Sequence, residues 1–500
     1  MAYGFVARRR EFFYRISRFL WGRPLEVPSY DITLSLFFRC LGLIYFAAFV
    51  SFGLQVPGLI GEQGILPLAD YLNAVHRHYG AEAYWQLPGI FWFKATESFV
   101  QRACYVGAAL ALLVVCNVAT RLALVGLFVL YLSVFYAGQV FTTFQWDLLL
   151  IETGFLAIFV STRSPGSIGM LRWLAFRFVF LAGAAKILSG DPTWRDWSAL
   201  SYHFETQPLP TAVAWYAHHW PQAVQECLVA ATLLVELLFV FLIFAPRRLR
   251  FLAAYAIIAF EVGIILTGNY NFFNLLTVVI GIPLFDDQWF RSWLPSTWAR
   301  RTSGAETHSK PRILGYARGG LFAVLLTISL GQMVELFSRT REPSILTRAF
   351  SFAEPLHIVN TYGLFAVMTR TRPEIVIEAS DDGQDWKEYG FRYKPGNPKR
   401  RPPWNTPHQP RLDWQLWFAA LDPRVPGWFE PFLARLLEGS KPVLDLMGEN
   451  PFSDHTPKYV RAVLYDYRFS DQSTGEKTGL WWVRELSGIY YPAVSQAQTQ

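Results

Sequence analysis

Six ionisable side chains stand inside long apolar runs: Arg39, Glu152, Arg177, Lys186, Glu236 and Glu261. Each would cost at least ~2.5 kcal/mol at the centre of an isolated membrane helix, so each must be paired, turned into a polar cavity or drawn to an interface. Arg177 and Lys186 lie near opposite ends of one run, where long stems let the charge reach the interface. Glu236 sits near the middle of its run and Glu261 more than two turns into the next, and neither carboxylate has that reach. Three acids and three bases permit complete internal pairing as a structural polar core. They also permit a functional polar cavity in the bundle, where an enzyme acting on a lipid-soluble substrate would use Lys186, Glu152 or Glu261. LTGNYNFFNLLT (266–277) adds Asn269, Asn271 and Asn274 without a charge. Amides at such depth line a cavity or bond across helices, so these three are candidates for a polar pocket near the outer face.

A second set lies outside the apolar runs. In SGDPTWRDW (189–197), Asp191 before Pro192 predicts a capped short helix with Trp194 and Trp197 on one side. The same mixture of Trp, Asp and Arg recurs in PHQPRLDWQLWF (407–418). Aromatics supply contact area and Arg supplies directional bonds, a combination suited to partner recognition. The expected binding surface joins Asp191, Trp194, Arg195 and Trp197 to His408, Arg411, Asp413 and Trp414. A plain contact between loop and tail is the alternative. His203, Glu205, His218 and His219 invite a metal, but HFE is not HExxH and adjacent histidines point to different helix faces. No metal and no cofactor are expected. GxSxG, P-loop and dinucleotide fingerprints are absent from the sequence, so no catalytic residue is assigned.

The elements that must hold these residues are membrane helices. Hydrophobic residues make up 52% of the 500, and charged ones only 17%. A helix needs roughly 20 apolar residues to cross the hydrocarbon. Clear runs are 34–56, 103–119, 122–141, 228–245, 251–266 and 321–337, with shorter ones at 148–160, 174–188 and 272–285. About nine crossings result, in an α-helical polytopic bundle over 34–338. With the N-terminus inside, eighteen Lys and Arg fall on inner segments against four on outer ones, the bias that keeps basic loops in the cytoplasm. Basic residues 8–10 then anchor segment 1–33 to membrane lipids. The net charge of +7 is a topology signal, with no nucleic acid implied. The first apolar run is too long for a cleaved signal and reads as a retained anchor.

Outer loops are expected at 57–102 and 189–226, the first rich in turns and interfacial aromatics, the second ending in an amphipathic helix over 211–220. After a charged linker (339–358) the chain reads as a soluble β-rich α+β domain on the outer face (359–492), with a disordered tail at 493–500. EIVIEAS (374–380), a DDG turn and WKEYGFRYKPG (386–396) predict a hairpin. Helices follow at 413–421 and 428–437, then strands at 458–470 and 479–492. Cys40, Cys104, Cys116 and Cys227 all lie in or beside apolar runs, which excludes a disulfide framework for that domain. Arg outnumbers Lys by 36 to 9 and no Asn-x-Ser/Thr acceptor occurs, a composition closer to a GC-rich bacterium than to a glycosylated secretory protein.

Several stretches resemble the lipase maturation factors, polytopic proteins of the endoplasmic reticulum membrane with bacterial relatives. They are LIGEQGILP (59–67), QWDLLLIETGFLAIF (145–159), SGDPTWRDWSALSYHFETQPLP (189–210) and LTGNYNFFNLLT (266–277). In the tail they are RPEIVIEASDDGQDWKEYGFRYKPG (372–396), PHQPRLDWQLWFAAL (407–421) and ENPFSDHTPKYVRAVLYDYRF (449–469). The resemblance implies a chaperone-like role in maturing a secreted client such as a lipase. Outer cysteines and glycan acceptors are missing, which sets this chain apart from the animal setting. The alternative, from a different class, is a membrane-embedded enzyme or lipid-binding protein acting on a lipid-soluble substrate in the helical bundle.

Overall fold

Asp31 starts the first long helix where its own N–H and that of Thr33 meet the Asp287 carboxylate at 2.8 and 3.0 Å. From there apolar runs keep the chain helical, since lipid offers the backbone no other partner. The computed structural model describes residues 10–22, 28–161, 165–293, 312–338, 348 and 351–496. A short amphipathic helix α1 (Arg10–Trp21) precedes α2 (Asp31–Gly53), α3 (Glu97–Val115), α4 (Thr120–Ala137), α5 (Gln145–Phe159) and α6 (Pro165–Leu188). Then come α7 (Gln222–Leu237), α8 (Arg247–Thr267), α9 (Phe273–Gly281) and α10 (Arg312–Ser338). The basic residues at 8, 9, 23, 163, 300, 301 and 310, and most of the 339–358 linker, lie outside the described residues.

Seven of these helices are long and apolar enough to cross a membrane: α2, α3, α4, α6, α7 with its 3-10 continuation to Phe244, α8 and α10. The other two of the nine apolar runs are shorter helices. At 1.5 Å per residue, α5 spans about 22 Å and α9 about 14 Å, against roughly 30 Å of hydrocarbon. No residue of either is exposed, because the long helices and the tail enclose them. Helix ends still alternate. Tyr30, Arg172, Pro283 and Leu284 meet at one end, where Arg172 donates to Tyr30 and Arg250 to Leu284 O. Ser51, Gln55, Phe141, Asp147 and Asn269 gather at the other, against the tail.

That tail is α+β. Strands β1 (Arg372–Ser380), β2 (Lys387–Glu388), β3 (Tyr459–Phe469) and β4 (Trp482–Ser495) form one antiparallel sheet in the order β2-β1-β3-β4. Helices α11 (Arg411–Leu421) and α12 (Phe429–Leu437) join the core. The return strand expected over 386–396 stops at two residues. Beyond it the N–H groups of Tyr393 and Lys394 turn to the Asp413 carboxylate at 3.1 and 2.8 Å, and Arg400 takes the carbonyls of Phe391 and Lys394. Those partners outcompete a ladder. At the other end β4 runs through 493–495, which composition had assigned to a tail, because Val494 and Ser495 pair with Val460 and Tyr459.

The loops hold the two parts together. GEQGILP is pinned to the tail, with Arg435 Nε donating to Gly64 O at 2.9 Å and Ser440 Oγ to Gln63 O at 2.7 Å. Buried apolar side chains from α2 through α12 form one continuous cluster, so bundle and tail share a core.

Candidate functional site

The residues that looked suited to an exposed binding surface are largely spent inside the molecule. Arg411 is fully buried and forks onto Asp147, with Nη1 to Oδ2 at 3.0 Å and Nη2 to Oδ1 at 2.8 Å, while Tyr131 donates to Oδ1 at 2.6 Å. Arg411 Nη1 also donates to Phe141 O, and its backbone N–H to Gln55. His408 Nδ1 lies 2.9 Å from Ser51 Oγ. Burial and the nearby Arg411 and Arg392 push its imidazole down to about 4. Trp414 packs on Trp146 with ring centres 4.7 Å apart. On the other segment, Asp191 caps Thr193 as expected and accepts from Met368 N at 2.6 Å. Trp194 Nε1 donates to Phe365 O.

The joint surface is therefore corrected on two counts. Segment 189–197 docks on 365–370 while 407–418 docks on the ends of α2, α4 and α5. Of the eight candidate residues, only Arg195 and Trp197 remain exposed. Trp197 does not share a side with Trp194, because its φ of +64° ends the short helix between them. The histidines nearby have local partners. His203 packs on Phe365, His219 on Trp215, and His218 stands 3.7 Å from Glu205, whose carboxylate accepts from Phe469 N.

The intramembrane charges divide into two groups. Glu152 receives Arg177 on Oε1, and on Oε2 it receives Asn360 and Tyr362 of the tail at 3.0 and 2.7 Å. Arg39 donates to Val115 O at 2.6 Å, at the carbonyl end of α3. Asn269 bridges to the tail through Pro403 O and Asn405 N, and Asn271 caps α9 through Phe273 N. Full acid–base pairing is not what the fold adopts, since Glu261 takes the Asn274 amide as its partner.

The remaining three share a hollow. Lys186 Nζ donates to Glu236 Oε1 at 2.8 Å, and Asn274 Nδ2 donates to Glu261 Oε2 at 2.6 Å. All line a cavity of about 520 Å³ between α6, α7, α8 and α9. Its walls are apolar, and Trp194, His203, Phe204 and Phe365 lie on the tail side. Glu236 Oε2 and Asn274 Oδ1 are buried without a partner. Tyr270 and Phe365 belong to this site and were missed, since a tyrosine in an apolar run and a phenylalanine in a loop carry no signal alone. Asp147 did carry one, as a charge opening an apolar run, and so did Arg372. The latter is buried with Glu374 at 2.7 Å and donates to Glu205 O and Pro208 O.

This plan, with helices and tail sharing one core, is matched along its length. A family model described as the lipase maturation factor transmembrane domain matches residues 32–292, and one described as the lipase maturation factor C-terminal domain matches 358–492. Lipase maturation factor 2 of Mus musculus is 34% identical, over 94% of this chain and 84% of that protein. Lipase maturation factor 2 of Homo sapiens is 34% identical, over 92% and 82%. Lipase maturation factor 1 of Bos taurus is 32% identical, over 96% and 92%. No solved structure matches. With both halves matched in order and seven helices able to span a bilayer, this chain is a multi-pass membrane protein that belongs to the lipase maturation factor family.

Proposed function

We propose that this chain is a membrane-anchored maturation factor for secreted lipases, working from the outer face of its membrane. The observation that carries the reading is the match across bundle and tail together to proteins named lipase maturation factors. Orientation rests on charge: Arg172, Arg247 and Arg250 gather at the end away from the tail, with Pro283 O, Asp286 and Leu284 O as their respective partners. Keeping that end in the cytoplasm satisfies the basic-loop rule and sets the tail outside. The membrane is the endoplasmic reticulum if the chain shares its animal relatives' setting, and the inner membrane of a bacterium if its composition is the guide.

Client segments would be held at the free edge of β4. Among the described residues this strand ends the sheet, and Val483, Leu486 and Ile489 on it are exposed. An unpaired edge offers backbone donors and acceptors to any extended segment. The test is co-expression with a secreted lipase in a host lacking a family member. Specific activity of the secreted lipase should rise with the chain, and fall again with Leu486→Lys and Ile489→Lys although both variants accumulate normally. Equal lipase activity with and without the chain would overturn the role, while full activity of both variants would overturn only the edge. For orientation, Gln384→Cys should react with an impermeant maleimide in intact cells; labelling only after lysis reverses it.

A further inference from the structure

The hollow between α6, α7, α8 and α9 is open on one side, and the residues around its mouth say which. Leu228 and Ala231 of α7 and Ala259, Gly263 and Leu266 of α8 line the cavity and are exposed. A Cβ built on Gly263 would meet nothing within 4 Å. These positions lie within the membrane-crossing lengths of two helices, in the half nearest the tail, so the mouth faces lipid. Toward the tail the cavity is covered. Phe365 lies over it with φ +52°, a strained conformation for a bulky residue. It is held by Trp194 Nε1 on its carbonyl at 3.1 Å and by His203 and Tyr270 at ring distances of 5.0 and 5.6 Å.

The polar floor selects the head of a ligand. It has two acids and one base, and that base is already bound to Glu236. Glu236 Oε2 and Asn274 Oδ1 are oxygens with empty acceptor positions, on side chains only 4% and 3% exposed. Buried acceptors without donors are costly, so an occupant that donates gains what the protein leaves unmade. A carboxylate or phosphate head would instead set acceptors against the open oxygens of Glu236 and Asn274, with Lys186 already held by Glu236. The volume falls within the roughly 300–1,000 Å³ typical of sites that enclose a small ligand.

We propose that this cavity binds a single-tailed membrane amphiphile whose head donates hydrogen bonds, a hydroxyl or an ammonium, entering sideways between α7 and α8 with its tail along the apolar walls. The site is independent of the client reading, and nothing in its chemistry requires a lipase.

Photoreactive diazirine analogues of a monoacylglycerol, a long-chain amine and a fatty acid test it on the purified full-length protein in lipid nanodiscs. The hydroxyl or the amine probe should label peptides 228–235 and 256–267 saturably, and the unlabelled parent compound should compete. Gly263→Trp, which fills the mouth, should abolish that labelling, whereas Leu122→Trp on another lipid-facing surface should leave it intact. Glu236→Gln, which keeps an acceptor oxygen but removes the carboxylate, separates the two heads by weakening the amine while sparing the hydroxyl. Competition on the wild-type protein stands without any variant folding. Labelling that does not saturate, that survives Gly263→Trp, or that is strongest for the fatty acid would sink the proposal.

Discussion

Asp147 and Glu261 are both buried carboxylates in the half of the bundle nearest the tail, and they keep different company. Asp147 has both oxygens filled by Arg411 and Tyr131. Glu152, one turn deeper on the same helix, is likewise filled on both oxygens, and the void beside it is only about 10 Å³. Glu261 has an amide for a partner and a 520 Å³ hollow in front of it. Buried charge in a membrane bundle therefore does not mark function by itself. Where every acceptor is filled and no room remains, the charge is a fastener. Where acceptors stay empty beside open volume, the fold has left a place for something else.

The two places should break differently. Arg411→Ala leaves Asp147 buried and without a base, which should cost about 3–5 kcal/mol, read from thermal unfolding in detergent. Arg411→Lys keeps the charge but loses the fork, and should fall between that variant and the wild type. Wild-type melting of Arg411→Ala would mean that the seam is no fastener. A pair of glycines gives the next contrast. A Cβ on Gly154 would sit 1.7 Å from Tyr45 Oη, so Gly154→Ala should overpack the α2–α5 contact at about 1–3 kcal/mol. Gly263→Ala at the cavity mouth meets nothing, and should be neutral or stabilise by up to about 1 kcal/mol through helix propensity. Equal shifts for the two glycines would erase the distinction.

The smallest expected effect is in pH. Burial holds His408 near 4 rather than 6.5, so the folded chain keeps it neutral while the unfolded chain takes up a proton below 6.5. Its contribution is complete above 6.5 and is lost as pH falls toward 4. His408→Gln should flatten the fall in melting temperature over that window, by no more than about 1.4 kcal/mol per pH unit. An unchanged slope would show that His408 does not title the seam to pH.

Much of this was legible in the residues. Apolar runs located the helices because lipid leaves the backbone no alternative, and period-two alternation located β1 and β3. Length was harder to read. The run at 174–188 extends back to Pro165, since the first turns of α6 carry Arg172 at an end where charge is tolerated. Individual charges such as Lys186 and Glu236 stood out against apolar neighbours, but their pairing spans 50 residues, and no local spacing encodes it. A bundle cavity was readable only as an alternative to internal pairing, and its place and size were not, for the same reason. Volume belongs to four helices at once. Arg411 and Trp414 looked like a surface because Trp, Asp and Arg also serve interfaces, and this one turned out to lie within the chain.

The fastening of α5 also sets a schedule. Asp147 waits for Arg411, 264 residues later, and Glu152 for Asn360 and Tyr362, 208 and 210 residues later. At roughly 5–20 residues per second, synthesis leaves Asp147 without that base for on the order of tens of seconds. The nascent helix must spend that time in the insertion machinery or against other helices, since bare lipid would reject it. A ribosome that stops before residue 360 releases a chain with two half-made charge sites at its centre. Such a product carries its own mark of incompleteness, legible to any membrane protease that seeks exposed polarity in an apolar segment.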